Sequence, residues 1–324
     1  MRRLILGLLA SCLAFAQTQV QRAPRVDPAI PSYARTEPMT GVIESIGADS
    51  LGDVWEEWIQ GFKAQHPRVQ FKVVQTLSKT AYDALLAGNL PLVHMAREMT
   101  VPEYQAFERK WGYPPTKLLI CFDAFIVFVN GTNPMKEIGM DQLDALLSTT
   151  RNAGYPKSVD TWGDLGGRGE WAKRSIHVYF RAEGTASRSV VKDMVLQKGA
   201  FKPTIIDKPD YPSIADAVMT DANGLAIGTL ATWYSRNRTL AVAPLQSREA
   251  IMPTQEDVIS ARYPMSKAYF LYVNKAPGKP LPGLLTEFLN YTLSREGQQA
   301  VAQSSLYPLP ADVAAMNRKR LRSN

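Results

Sequence analysis

Cysteine and histidine are nearly missing from this chain. Two cysteines and three histidines occur among 324 residues. Cys12 falls inside an apolar N-terminal run, so Cys121 stands alone in the remainder, and no internal disulfide framework is available to it. Cys121 lies within the apolar stretch 118–129, the setting of a buried and inert thiol. His66, His94 and His177 are far apart and show no metal-ligand spacing, which argues against a metal centre. No Gly-x-Ser-x-Gly elbow is present, so one common hydrolase architecture is excluded. Long apolar runs are missing too: the longest N-terminal one is too short for a stable membrane span. No internal repeat, collagen period or sustained heptad appears. With 45% hydrophobic and 21% charged residues, the composition is that of an ordinary soluble globular protein of one or two domains.

What the N-terminus holds reads as an export signal. Arg2 and Arg3 precede the apolar run 4–13, and Ala14-Phe15-Ala16 supplies the small-x-small pattern of a cleavage site. We expect a signal peptide over 1–16. A competing reading makes Leu9-Ala10-Ser11-Cys12 a lipobox, with Cys12 the lipidated first residue. Loss of Arg2 and Arg3 would leave 35 basic against 30 acidic residues, a formal charge of +5. That mild excess favours anions only in a general way. The segment 17–40 carries Pro24, Pro28, Pro31 and Pro38 and is expected to be a linker. The basic tail Asn317-Arg318-Lys319-Arg320-Leu321-Arg322 is expected to be a solvated terminus, with no nucleic-acid partner.

Beyond residue 41 strands and helices alternate. Strands are expected at 42–46, 69–74, 91–95, 118–129, 175–181, 224–229 and 269–274. Val54, Trp58 and Phe62 recur at four-residue spacing and predict a helix over 51–65. Further helices are expected at 82–87, 101–111, 140–147, 186–197, 214–220 and 284–304. This alternation implies an α/β fold with parallel layers, whose ligands bind at the carboxyl ends of strands. Trp55, Trp58, Trp111 and Trp162 are expected in the core rather than around a large ligand.

One segment concentrates anion chemistry. In Val178-Tyr179-Phe180-Arg181-Ala182-Glu183-Gly184-Thr185-Ala186-Ser187 a strand ends in arginine, a glycine turn follows, and hydroxyl residues open a helix. The first N–H groups of a helix lack internal partners and carry the positive end of its dipole. Thr185 and Ser187 add hydroxyl groups. Arg181 adds a planar fork that fits a tetrahedral oxyanion.

Arg181-Ala182-Glu183-Gly184-Thr185-Ala186-Ser187 resembles the Arg-x-Asp/Glu-Gly-Ser-Gly-Thr signature of the PstS-like periplasmic phosphate-binding proteins. Four other segments resemble the family in the same order: Ile46-Gly47-Ala48-Asp49-Ser50, Leu77-Ser78-Lys79-Thr80, Ala96-Arg97-Glu98-Met99-Thr100, and Ala217-Val218 through Ala226-Ile227-Gly228. The resemblance spans residues 41–305. It implies a two-lobed periplasmic-binding-protein fold of type II, each lobe a mostly parallel sheet flanked by helices. Residues 41–128 and 240–324 would form lobe one and 129–239 lobe two. It further implies that Arg181, Thr185, Ala186 and Ser187 contact an oxyanion from lobe two, and Ser50 and Ser78 from lobe one. Glu183 would accept the proton of hydrogen phosphate and so reject sulfate. An ABC permease would be the partner and the receptor a monomer; no cofactor is implied.

Departures from the pattern leave other candidates open. The second loop loses its glycines and gains Lys79; Leu51 stands where a threonine is usual, and Ala96 and Ala186 replace small polar or glycine residues. Lys79 either supplies charge or faces solvent, and Arg97 either pairs nearby or reaches the cleft. Asp49 is a further candidate contact. Receptors for molybdate, tungstate or sulfate, and a sensor or scaffold without cargo, are the alternatives. Ala48-Asp49-Ser50-Leu51 superficially resembles the GDSL esterases, yet no histidine follows His177, so we expect no enzyme.

Overall fold

The computed structural model describes residues 23–234 and 236–322. The expected signal segment 1–16, Cys12 within it, and residues 17–22 lie outside the described residues.

The fold is mixed α/β, as expected. In the first sheet β1 (Thr40–Ala48) runs parallel to β2 (Arg68–Thr76) and β3 (Leu92–Met95), which flank it. The connections are α1 (Gly52–Gln65) and α2 (Ser78–Ala87). On α1 the predicted stripe is buried: Val54, Trp55, Trp58 and Phe62 all face inward. Trp55 stacks on Phe288 with ring centroids 5.3 Å apart. Each such ring contributes roughly 1.5–3 kcal/mol of burial.

Two long strands carry the chain between lobes. The fourteen residues of β4 (Thr116–Val129) are largely buried, because the strand has neighbours on both edges and helices on both faces. Its first half pairs antiparallel with β10 (Ser266–Val273). Its second half pairs antiparallel with β8 (Gly224–Thr229) and β9 (Arg238–Ala243). Next to β8 lies β6 (His177–Arg181), parallel to it and to β7 (Ile206–Lys208), while β5 (Glu137–Gly139) pairs parallel with β9. Cys121, inside β4, is fully buried, and burial pushes its thiol pKa well up.

The helices α3 (Val101–Trp111), α4 (Met140–Leu147), α5 (Ala186–Met194), α6 (Tyr211–Thr220) and α7 (Gln255–Ile259) follow the strands. The chain closes with α8 (Gly283–Thr292), α9 (Arg295–Gln303) and α10 (Ala311–Arg322). One core gathers Trp58, Phe62, Leu118, Phe288, Val301 and Leu321; a smaller one lies around Tyr82, Phe107 and Tyr272. The other large core gathers Phe125, Trp162, Phe180, Leu240, Val258 and Tyr263. The expected lobe boundaries therefore shift. Residues 124–129 and 240–265 pack with lobe two, because β9 takes its backbone ladder from the second half of β4 and from β5.

Both termini depart from expectation. Residues 25–39, expected to be a free linker, form a strap bound to the surface. Ile30 is fully buried, Arg295 donates to the Pro28 and Ile30 carbonyls, and the Tyr33 hydroxyl bonds His66 and Glu287. Prolines that suggest a tether here fix an extended course. The basic tail is α10, anchored by buried Ala314, Asn317 and Leu321, with Arg318 donating to the Leu293 carbonyl at 2.6 Å. The signal was the helical spacing of Ala314, Asn317 and Leu321, which puts them on one face. The single helix expected over 284–304 is two, because Ser294 caps α9 by accepting from the Gly297 N–H at 3.2 Å.

Candidate functional site

Arg181 is the last residue of β6, and the chain must then turn sharply to start α5. Gly184 has φ +83°, a conformation that side chains with a Cβ adopt rarely. The turn is pinned from outside: the Ala182 N–H donates to the Lys208 carbonyl at 3.2 Å and the Glu183 N–H to Asp207 Oδ2 at 3.4 Å. Thr185 is the N-cap, accepting from the Arg188 N–H at 3.4 Å while its hydroxyl donates to the Ala182 carbonyl at 2.8 Å. Its side chain is thus spent on the helix. The Ala186 and Ser187 N–H groups occupy the first turn, where the helix offers no acceptor.

Tyr211, the first residue of α6, brings this end of lobe two together. Its hydroxyl and that of Ser187 are 2.7 Å apart, and the Arg181 guanidinium lies 5.2 Å from its ring centroid. The Arg181 Nε is buried without an acceptor among the described residues. A desolvated guanidinium nitrogen without a partner is costly unless a ligand supplies one. Burial raises the Tyr211 pKa, opposed by Lys267, the Ser187 bond and Arg181.

That electrostatic reach leads to the crossover strands. Asp123 of β4 and Lys267 of β10 face each other in register, with Lys267 Nζ 2.7 Å from Asp123 Oδ2. The Tyr269 hydroxyl donates to the same oxygen at 2.9 Å, and the Ala124 N–H to Oδ1 at 2.7 Å. Tyr269 also bonds the Ser50 side chain. Ser50 is exposed on the single 3-10 turn that joins β1 to α1, with Asp49 exposed beside it. Tyr269, Asp123 and Lys267 thus gather beside Ser50 on the crossover strands, while Tyr211 gathers Arg181 and Ser187 in lobe two. Sequence reasoning missed all four. A signal was present, since Asp123 is the only charged residue in the apolar stretch 118–129 of β4.

The other expected contacts lie elsewhere or are occupied. Ser78 accepts from the Ala96 N–H at 3.0 Å, holding two lobe-one loops together. Lys79 pairs along α2 with Asp83, both exposed. Arg97 forks onto Glu103 at 2.7 and 2.8 Å, and Glu103 is also the capping-box partner of Thr100. Glu183 is exposed at the tip of its turn. Water screens an exposed carboxylate; the carboxylate of Asp123, on β4, is 1% exposed.

The histidines occupy separate places. His66 bonds Tyr33 and the Met39 N–H, and exposed His177 bonds Asp221. His94 bonds Ser45 and Gln75 in an order that mimics a catalytic line, yet both His94 and Ser45 are buried. Among the described residues no group of three or more His, Cys, Asp or Glu gathers to hold a metal, and no helix is long and apolar enough to cross a membrane.

Residues 31–296 match the model of a PBP superfamily domain. The PstS phosphate-binding protein of Pseudomonas aeruginosa is 35% identical over 316 residues, covering 97% of this chain and 98% of its own. An ABC-type phosphate transport receptor from Vibrio cholerae superposes with a TM-score of 0.66 at 15% identity, covering 83% of this chain and all of the receptor. PstS from Borrelia burgdorferi gives 0.63 at 15%, covering 83% and 99%. On the length of the Pseudomonas match and the domain model together, this chain belongs to the PstS-like proteins of the PBP superfamily.

Proposed function

We propose that this protein captures inorganic phosphate outside the cytoplasmic membrane and delivers it, as a monomer, to an ABC-type permease. The observation that carries the reading is Arg181. Its Nε is buried without an acceptor among the described residues, its guanidinium lies over the ring of Tyr211, whose hydroxyl meets that of Ser187, and the first-turn N–H groups of α5 have no helical acceptor. A tetrahedral dianion would supply acceptors to all three, and charge-assisted bonds of this kind contribute about 1.5–3 kcal/mol each. The named phosphate receptors among its relatives support the cargo, and the signal-like N-terminus supports export.

Titration calorimetry of the protein from residue 17 onward, with phosphate, sulfate, molybdate and tungstate, tests this. We expect phosphate to bind most tightly. Arg181→Gln should weaken it about 10- to 100-fold or more, by the energy of one or two charge-assisted bonds. Tighter binding of another oxyanion would move the cargo. Silence for all four would favour a second reading, a PstS-like fold without cargo. Its support is specific: Ser78, Lys79 and Arg97 of lobe one are all engaged with protein groups.

A further inference from the structure

Arg181 and Ser187 come from different elements, the end of β6 and the first turn of α5, yet both touch Tyr211. This tyrosine opens α6 and is half-buried against the lobe-two core. Its hydroxyl lies 2.7 Å from Ser187 Oγ, and the Arg181 Cζ lies 5.2 Å from its ring centroid. The backbone that carries it is held. Asp210 caps α6 by accepting from the Ser213 N–H at 2.8 Å, and Pro212 in the first turn restricts the chain's entry. An aromatic face supports a guanidinium without cancelling its charge, as a carboxylate would. The hydroxyl contact carries a second consequence. A hydroxyl has one proton and two acceptor lone pairs, so two hydroxyls can bond in either sense. If Ser187 donates to Tyr211, the serine turns lone pairs toward its surroundings. If Tyr211 donates to Ser187, the serine proton is left to bond elsewhere. Two physical effects favour the second sense. The phenol is the more acidic hydroxyl and the better donor, and the Arg181 cation over its ring strengthens it. An oxyanion beside Ser187 repels lone pairs and attracts the proton.

We infer that Tyr211 is a positioning residue for oxyanion binding: it donates its hydroxyl proton to Ser187 Oγ and so turns the Ser187 O–H toward the anion that Arg181 binds. The inference rests on the oxyanion reading above and deepens it, by giving Ser187 a donor's role and naming the group that aims it. Thr185, the other hydroxyl of this turn, does not fill that role, because it already donates to the Ala182 carbonyl at 2.8 Å. Ser187 sits one residue further into α5, where its side chain meets α6 instead of its own turn. The two helices thus divide the work: α5 supplies first-turn N–H groups and the serine, and α6 supplies the phenol that sets the serine's direction.

The test is a double-mutant cycle read by phosphate calorimetry on wild type, Tyr211→Phe, Ser187→Ala and the double variant, each checked for folding by circular dichroism melting. Phenylalanine keeps the ring beneath Arg181 and removes only the donor. We expect Tyr211→Phe to weaken phosphate binding about three- to tenfold, and Ser187→Ala about tenfold or more. The double variant should bind as Ser187→Ala does, because the phenol acts through the serine. A residue needed only for packing would instead add its own loss to that of Ser187→Ala. Additive losses therefore overturn the assignment of Tyr211, and so does wild-type affinity in either single variant. If wild type binds phosphate and Arg181→Gln does not, such a result leaves the oxyanion reading standing. If wild type binds no oxyanion, both fall together.

Discussion

Single side chains at this site do work that their identity does not announce. Arg181 and Ser187 were singled out as candidates because a strand-end arginine before a glycine turn and a hydroxyl-led helix is a local pattern. Asp123, Lys267 and Tyr269 were not, because their meeting depends on β10 returning from far along the chain to lie in register with β4. Glu183 was singled out by its place in the turn, which does not give its exposure, and it stands exposed at the turn's tip. His94 shows the same dependence on burial. It is fully buried between Ser45 and Gln75, and burial pulls its pKa from 6.5 to about 3. The folded protein thus refuses a proton that the unfolded chain accepts. Stability should be unaffected above pH 6.5, fall as pH drops from about 6.5 to about 3, and level off below that, by up to about 1.4 kcal/mol per unit. Urea unfolding of wild type and His94→Gln across that range checks this: the variant, still able to bond Ser45, should lose less stability on acidification. Parallel curves would remove His94 as a source of acid sensitivity.

Elements with an amphipathic stripe or a strong cap were readable, and α1, α3, α4 and β8 lie where their residues predicted. Those that depend on partners were not. Strands β7 and β9 are three and six residues long and exist because β6, β4 and β5 offer them ladders. The strap over 25–39 has almost no regular structure, so its prolines looked like a tether. Its order comes from Ile30, Tyr33 and the backbone bonds given by Arg295. The break between α8 and α9 was hidden because apolar spacing continues through it. Physically it is forced at Gly297, where a Cβ would lie 2.1 Å from the Tyr291 carbonyl oxygen and 2.7 Å from Thr292 Cα. Both are backbone atoms and cannot swing aside. Gly297 also accepts from the Trp58 indole at 2.8 Å. Gly297→Ala should therefore destabilise by about 2 kcal/mol despite alanine's better helix propensity, with the melting temperature lower by several degrees. Thermal melting followed by tryptophan fluorescence reads both the loss and the disturbed Trp58 environment; an unchanged or raised melting point would show that the two helices can part at no cost.

At the scale of the molecule, two large cores are joined through β4 and β10, and the candidate residues lie on both sides of the join. Ser50 precedes Leu51, which lies in the core of Trp58 and Phe288, while Arg181 follows Phe180, which lies in the core of Trp162. The strap also touches both sides. Its Arg25 backbone exchanges two hydrogen bonds with Gln255 of α7, whose neighbour Val258 lies in the lobe-two core, and Asp27 accepts from the Ala311 N–H at the start of α10. Strands this well paired resist bending along their length, so relative motion has to concentrate where β4 passes from one sheet to the other, beside Asp123. The backbone already yields there: the β4–β10 register shifts at Tyr269/Phe270. An oxyanion bound to Arg181 and to the Ser50 turn together would favour the arrangement that brings both within bonding distance, and a ligand shifts a hinge only by such differential contacts. Phosphate should therefore lower the radius of gyration measured by small-angle X-ray scattering, with no change in molecular mass. Arg181→Gln, folded but lacking the lobe-two contact, should show no such response at concentrations that saturate wild type. Binding by calorimetry with identical scattering curves would mean that the cleft is built closed, and that affinity arises from a preformed site rather than from hinge motion.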